Sequence, residues 1–434
     1  MILPLLAVLQ VASAQAPAVQ DTMPVVTLAD ALQRAARLDP NYVSAAGQVD
    51  IAEWSRRAAF AVFIVPAVTL STTATRTEGK FFTPFGTFTP RLNSVSAQVD
   101  ARIDLFTGGS KFAGLRTSAG QLEIARAGEL QARLTTAMNT EADYYSVLTE
   151  KALLRVAEDQ EQRAQQQFTV ARARVTSGAA VQTDSLQLAL ELTQARVVLL
   201  QQQAALRAAQ LELGRRIGLQ TAADAALVPS DSLAPALPFP VQDAVARALA
   251  QGPAWRIARG LERTTSGLLW TRRAQYLPRA SLDYTKSAND TKFFPSASNL
   301  SSLSLTVSLP LWDNGQREIQ VSLARANHEV AQAIRDDLER GAWHDVTAAY
   351  DAYETNRATI DLERYAVVVA RENNRVQETR YRAGATTILD LLTAQNRLFQ
   401  AEADLVKAMY NTRLARAGLE VILGERINFE QGTQ

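Results

Sequence analysis

The sequence is written twice, and this duplication constrains the fold more than any other feature. Residues 174–184, RVTSGAAVQTD, resemble residues 380–390, RYRAGATTILD, which lie 206 positions further along the chain. The same separation relates the turn-like segments 106–109 and 312–315. Nearer the N-terminus the separation grows to about 212, because the first copy carries extra residues before Gly109. Self-similarity at a fixed spacing predicts two copies of one structural unit.

The N-terminus has the pattern of a targeting segment. A short apolar run ends in Ala12-Ser13-Ala14, which is typical of a signal-peptide cleavage site. We therefore predict a signal peptide over 1–14, followed by an extended segment over 15–26. The alternative is an ordinary apolar start. No later segment reaches eighteen consecutive apolar residues, so we do not expect a membrane-spanning helix.

Composition argues against several kinds of function. The 45 basic residues nearly balance the 44 acidic ones, which gives no electrostatic reason to expect a nucleic acid as partner. The chain has no cysteine, so disulfides and thiolate chemistry are excluded. Its two histidines, His328 and His344, lie sixteen residues apart without further ligand spacing. We expect no enzyme activity, no cofactor and no metal site.

Each copy reads as helix, two strands, one very long helix, a turn and a returning helix. Repeat 1 is predicted over 27–218, with a helix at 27–60, strands at 66–76 and 94–105, a long helix at 109–177 and a helix at 182–217. Repeat 2 is predicted over 241–424, with a helix at 241–275, strands at 279–287 and 300–311, a long helix at 315–383 and a helix at 387–423. A linker over 219–240, rich in proline from Val228 to Pro240, separates them, and 425–434 forms a tail.

The strands alternate apolar and polar residues, so each has one dry face. Val95 to Leu105 supplies apolar side chains at alternate positions, as do Leu303 to Leu311 in the second copy. A strand of about ten residues can cross a bilayer at a tilt. The polar side chains would then line a lumen: Ser96, Gln98, Asp100, Arg102, Asp104, Ser302, Ser304, Thr306 and Ser308. The edge of a soluble β-sandwich is the alternative.

Four strands per chain are too few to close a barrel, yet every backbone group that faces lipid must be paired. Closure therefore requires several copies, and three would supply twelve strands. The predicted fold class is mainly α with a membrane β-barrel.

The long helices exceed what one compact domain accommodates. Neither 109–177 nor 315–383 contains proline, and about 69 residues of helix extend on the order of 100 Å. The returning helices carry leucines every seven residues, at 192, 199, 206 and 213 and again at 391, 398 and 405, with alanines at 394, 401, 408 and 415. Strict heptads predict coiled coils.

The long helices reverse direction at Gly178 and Gly384, where glycine can adopt the left-handed conformation that ends a helix. Asp184 and Asp390 follow six residues later, near the start of the returning helices. A carboxylate is favoured there by the helix dipole, so capping alone would account for both.

The segment Tyr381-Arg-Ala-Gly-Ala-Thr-Thr-Ile-Leu-Asp390 resembles the hallmark of the outer-membrane efflux protein (TolC-like) family, as does Leu309-Pro-Leu-Trp-Asp-Asn-Gly315. The resemblance covers nearly the whole chain after the signal peptide. It implies a homotrimer with a twelve-stranded barrel in the outer membrane and a twelve-helix tunnel in the periplasm of a Gram-negative-type bacterium. Its expected partners are outer-membrane lipid, a periplasmic adaptor and, through the adaptor, an inner-membrane transporter.

The resemblance also assigns roles to residues of the turns. Gly178 and Gly384 would mark the tip where the adaptor docks, Asp390 would contribute to an acidic ring at the aperture, and Tyr381 would pair with Asp184 in a lock. The sequence departs from the family pattern where Thr393 replaces a second acid and Thr386 replaces an arginine.

The function implied is passive export of small toxic molecules. A duct for type I protein secretion or for metal export is the alternative within the family. A soluble, structural coiled-coil protein of the periplasm is the alternative from another class.

Overall fold

The computed structural model describes residues 23–79, 81–84, 86–88, 91–178, 181–227, 235–292 and 297–427. The predicted signal peptide, the start of the extended segment, part of the linker and the end of the tail lie outside these ranges. The elements are β1 (Val25–Val26), α1 (Leu28–Leu38), α2 (Pro40–Ala61), β2 (Ala67–Glu78), β3 (Phe81–Thr83), β4 (Gly86–Phe88), β5 (Arg91–Thr107), α3 (Ser110–Thr176), α4 (Gln182–Arg216), β6 (Asp224–Ala225), α5 (Val241–Gln251), α6 (Pro253–Arg273), β7 (Arg279–Asp290), β8 (Ser298–Ser308), α7 (Gln316–Arg382) and α8 (Ile388–Leu423).

The duplication is visible in these bounds. Helices α3 and α7 each contain 67 residues. They begin at Ser110 and Gln316, which lie 206 positions apart. Gly109 and Gly315 precede them in the left-handed conformation, with φ of 84° and 77°. At about 1.5 Å per residue, each helix extends roughly 100 Å. Among the described residues, no helix combines the length and the apolar character needed to cross a membrane.

The single helices that we predicted over 27–60 and 241–275 are each two helices, and this prediction was wrong. Asp39 separates α1 from α2, and its side chain accepts hydrogen bonds from the backbone N–H groups of Asn41 and Tyr42 at 2.8 and 3.2 Å. Pro40 follows as the first helical residue, where its missing N–H costs nothing, while it disfavours a helical conformation for the residue before it. Gly252 and Pro253 break the second copy at the equivalent place.

Four strands form one antiparallel sheet in the order β2-β5-β7-β8, so the two hairpins of the duplication lie side by side. The strand predicted over 300–311 ends earlier, at Ser308, because Pro310 has no N–H to donate to a neighbouring strand. A register shift between Asp104 and Phe106 also interrupts the alternation that we predicted as far as Leu105, so Phe106 pairs with Ala280. The loop expected near Phe81 contains the short hairpin β3-β4.

The helices next to the sheet pack side by side in the same order as the strands to which they connect, namely α2, α3, α6 and α7. Helix α3 packs against α2 and α6 near the sheet, and against α4 and α8 further away, while α7 packs against α6 and then α8. Glycine permits the close approach of α3 to α6: a Cβ atom on Gly120 would lie 2.8 Å from the Gly260 carbonyl oxygen. The helices of the protomer therefore form a wall, with α2 and α4 at one edge and α7 at the other.

A cluster of buried side chains fixes the middle of the wall. It includes Ala31, Tyr144, Val147 and Leu213, and β1 and β6 pair in parallel beside it. Three tyrosine hydroxyls hold the chain between the repeats: Tyr144 donates to the Ala226 carbonyl at 2.7 Å, Tyr353 to Pro235 at 2.7 Å and Tyr350 to Phe239 at 3.1 Å. The predicted linker is thus bound to both long helices.

Candidate functional site: the helical tip and the polar face of the sheet

The two turns between long and returning helices occupy the same end of the molecule. Gly178 and Gly384 end α3 and α7 with φ of 75° and 72°, in the left-handed region that favours glycine. A Cβ atom at either position would meet no atom within 4 Å, so backbone conformation, not space, requires glycine there. Both predicted turn residues therefore lie exposed at the tip.

A small apolar cluster joins the turns. Its buried members come from all four helices: Ala171 from α3, Leu188 from α4, Tyr381 from α7, and Ile388 and Leu391 from α8. The hairpin of repeat 1 and the hairpin of repeat 2 are therefore in direct contact at their ends.

Tyr381 lies at the centre of this contact. The guanidinium of Arg174 donates a 3.0 Å hydrogen bond to the Tyr381 carbonyl oxygen, and its carbon lies 5.5 Å from the centroid of the phenol ring. Burial raises the pKa of the Tyr381 hydroxyl, the Asp184 carboxylate raises it further, and Arg174 opposes both. Among the described residues no hydrogen bond of ordinary length satisfies this buried hydroxyl.

Asp184 thus lies near enough to raise the pKa of the Tyr381 hydroxyl, and Arg174 contacts Tyr381 through its carbonyl oxygen and its ring. Sequence reasoning missed Arg174 as a site residue. The available signal was its place in the duplicated segment, where it aligns with Arg380. The trio joins α3, α4 and α7, so it ties the hairpin of one repeat to the hairpin of the other.

Asp390 has a different environment from Asp184. The Thr387 hydroxyl donates to the Asp390 carboxylate at 2.6 Å, and the Thr387 N–H donates to it at 3.2 Å. The Thr386 hydroxyl lies 3.0 Å from the same oxygen. These hydrogen bonds, led by that from the Thr387 side chain, lower the pKa of Asp390, so the exposed carboxylate stays ionised.

Thr386 and Thr393, the two departures from the family pattern, both form local hydrogen bonds. Thr386 contributes to the Asp390 environment, and the Thr393 hydroxyl donates to the Leu389 carbonyl at 2.8 Å. Neither supplies a charge to the tip. Asp390 is therefore the acid that the first turns of α8 present to solvent.

The strand register places all nine predicted polar residues on one face of the sheet. Asp100 pairs with Thr285, Arg102 with Asp283, and Ser304 with Asp283 from the other side. The Thr285 hydroxyl donates to Asp100 at 2.9 Å, and the Arg102 guanidinium lies 3.6 Å from the Asp283 carboxylate. The polar face also includes Ser281, Asp283 and Thr285 of β7, which alternate with apolar residues of the same strand.

The opposite face of the sheet is apolar and exposed. Leu303, Leu305 and Val307 of β8 are each more than 60% exposed, as are Val68 and Leu70 of β2. Such a patch is unusual on a monomer surface and indicates contact with an apolar environment.

The described part of the chain contains no group of three or more acidic or histidine side chains that could hold a metal. His328 contacts the Thr265 hydroxyl at 3.2 Å, and exposed His344 contacts Asp345 at 2.9 Å. Both histidines are thus engaged in pairwise contacts on helix surfaces.

Most of the chain is similar in sequence to proteins of one known family. The family model described as outer membrane efflux protein matches residues 29–219 and 253–425. Outer membrane protein TolC of Escherichia coli is 26% identical over 140 residues, which is 32% of this chain and 28% of that protein. Protein CyaE of Bordetella pertussis is 27% identical over 306 residues, 67% of this chain and 62% of that protein. Each match therefore spans less than two thirds of the relative.

Solved structures resemble the whole fold. The structure of CusC superposes with a TM-score of 0.80 at 17% identity, covering 92% of both chains. VceC of Vibrio cholerae, an outer membrane protein, superposes with a TM-score of 0.77 at 18% identity, covering 92% of this chain and 97% of that one. The arrangement of strands and long helices described above is thus shared with these proteins.

Proposed function

Since the chain belongs to the outer membrane efflux protein family, we propose that it forms the outer-membrane duct of a tripartite export system and passes small toxic molecules outward without catalysis. One observation carries this proposal. A four-stranded sheet with an exposed apolar face, and with both edge strands unpaired within the described protomer, stands at one end of two 67-residue helices.

The unpaired edges support closure by several copies. Strands β2 and β8 each pair on one side only within the described sheet, which leaves a row of backbone donors and acceptors on the other side. In a bilayer those groups must find partners, and β8 of one copy can supply them to β2 of the next. Three copies of the four-stranded sheet make a twelve-stranded barrel.

The edge helices support the same arrangement below the membrane. Exposed apolar residues recur at coiled-coil spacing on α4, at Leu186, Leu190, Val197 and Leu200, and on α7, at Leu362, Tyr365 and Val369. These two stripes lie at opposite edges of the wall. Pairing α4 of one copy with α7 of the next would bury both and close a twelve-helix tunnel.

The polar face of the sheet suits a water-filled lumen. Arg102 is paired across strands with Asp283, and Asp100 and Asp104 add further carboxylates to the same face, so the lining is polar and acidic on balance. A soluble coiled-coil protein would gain nothing from the exposed apolar face on the other side, which disfavours that alternative.

The tip is proposed as the periplasmic gate and adaptor-docking site. Three copies would bring three ionised Asp390 carboxylates together, which attracts cations and hinders anions. The contact among Arg174, Tyr381 and Asp184 would hold the hairpins closed, and adaptor binding beside Gly178 and Gly384 would favour the dilated arrangement.

Planar-bilayer recording of the purified protein tests this proposal. We expect discrete, cation-selective channels of low conductance from a species that contains three copies. A monomer that forms no channels would contradict it.

A further inference from the structure

The apolar face of the sheet changes character along the strands. On β7 this face carries Ala280, Leu282 and Tyr284 at successive alternate positions, and the next position is Lys286. On β8 the partners are Val307, Leu305 and Leu303, followed by Ser301 opposite Lys286. Beyond this level the face is no longer continuously apolar.

Lys286 is an exposed cation on that face with no acid beside it. The row of residues in register with Lys286 across the four strands contains Leu70, Val99 and Ser301. The flanking rows on β7 hold Tyr284 and Ala288, and no described residue of either row is acidic. A lysine on the lipid side of a barrel is costly at the midplane and nearly neutral at the interface. Its position therefore indicates where the apolar band ends.

The height of the band agrees with this position. Leu309, Leu311 and Trp312, which follow β8, are all at least half exposed at the helical end of the sheet. From Ser308 to Ser301, seven residue steps of β8 at about 3.3 Å each rise roughly 18 Å at a 35–45° tilt, and Leu309 and Leu311 add apolar side chains below the strand, toward the height of about 25 Å of the apolar band of a membrane barrel. Trp312 would then lie at the inner interface, where aromatic residues concentrate.

We infer that Lys286 lies at the outer membrane interface and binds the phosphate of an outer-leaflet lipid. The inference rests on the proposed function, since it requires the sheet to span the bilayer with its helices in the periplasm. The lysine stem would lie along apolar neighbours while its ammonium reaches upward to the headgroup. On the adjacent strand, Ser301 opposite Lys286 and Asn299 in the next row beyond it offer hydrogen-bond donors.

Thermal unfolding of the intact, detergent-purified assembly tests this contact. The added probes are lipid A carrying its phosphates, the same lipid without phosphates, and inorganic phosphate alone. We expect phosphorylated lipid A to raise the unfolding midpoint of the wild type by about 2 °C more than the dephosphorylated lipid does. Lys286→Ala should abolish that difference and Lys286→Arg should retain it. Lys407→Ala, which removes an exposed lysine from α8, should also retain it.

A phosphate-dependent shift that persists in Lys286→Ala would overturn the inference, and so would an equal shift from inorganic phosphate.

Because the chain lacks cysteine, a nitroxide on Leu282→Cys or Lys286→Cys reports depth at one site. We expect oxygen to relax the label at 282, and a water-soluble nickel complex to reach the label at 286. If the label at 282 is also reached by nickel in liposomes, the membrane-spanning proposal itself fails.

Discussion

Thr387 and Asp390 cap the start of α8 reciprocally: the Thr387 hydroxyl accepts from the Asp390 N–H at 3.2 Å, and the Asp390 carboxylate accepts from the Thr387 N–H at 3.2 Å. The equivalent positions of repeat 1 are Val181 and Asp184. Valine has no hydroxyl, and α4 accordingly has no side-chain cap. One threonine-to-valine difference therefore leaves Asp184 available to Tyr381, while Asp390 is held in its own turn.

Val181→Thr should transfer the Asp390 environment to Asp184. The new hydroxyl would recruit the Asp184 carboxylate into a capping box and withdraw it from Tyr381, so we expect larger single-channel conductance in planar bilayers. Val181→Ile, which adds no hydroxyl, is the control and should conduct like the wild type. Equal conductance of Val181→Thr and Val181→Ile would show that Asp184 does not restrain the tip.

Asp184→Ala should raise conductance, because the lock loses its acid, whereas Asp390→Ala should raise it and also lower cation selectivity. Selectivity is read from the reversal potential in a salt gradient. Asp337→Ala, an exposed change on α7, is the control. Conductance and selectivity unchanged in both variants would refute the gate while leaving the fold intact.

Glu141 should make stability pH-dependent. The Glu141 side chain is buried in α3, and one of its carboxylate oxygens lacks a hydrogen bond among the described residues. Burial raises the pKa of this carboxyl group, although the nearby Arg416 and Arg426 lower it. The folded state therefore binds the proton more tightly, so this contribution is present in acid and is lost as pH rises through the raised pKa. Glu141→Gln should flatten the decline of the thermal midpoint above about pH 4.5. Exposed Glu339→Gln should not, and an unchanged profile in Glu141→Gln would contradict the assignment.

A layer of buried polar side chains should make the hairpins easy to separate. Gln167, Asn374 and Gln395 are each at least 92% buried, and each has one atom without a hydrogen bond among the described residues. An unsatisfied buried group costs about 1–3 kcal/mol. Replacing all three with leucine should raise the thermal midpoint and lower the open probability. Gln166→Leu, on an exposed position of α3, is the control. A lower midpoint in the triple variant would show that the layer is stabilising.

Periodicity and duplication predicted the long elements well, because α3 and α7 depend on local helix formation over many turns. The proline at Asp39-Pro40 and at Gly252-Pro253 is a recognisable signal for the start of a new helix. The apolar pattern around each site nevertheless led us to predict one continuous helix in each copy. The bulge beside Leu105 could not be predicted, because it depends on the register with β7, a strand more than 170 residues away. Arg174 was missed for a related reason: its partner Tyr381 lies in the other repeat.

Cysteine crosslinking between edge strands tests most directly whether copies of this chain close the sheet. A variant carrying Thr73→Cys in β2 and Ser304→Cys in β8 has no other thiol, and it would be treated in the membrane with a short bis-maleimide. The single variants are controls. We expect covalent species of two and three copies and none larger, from the double variant only. Bands that remain monomeric, in a protein that still fractionates with the outer membrane, would contradict it.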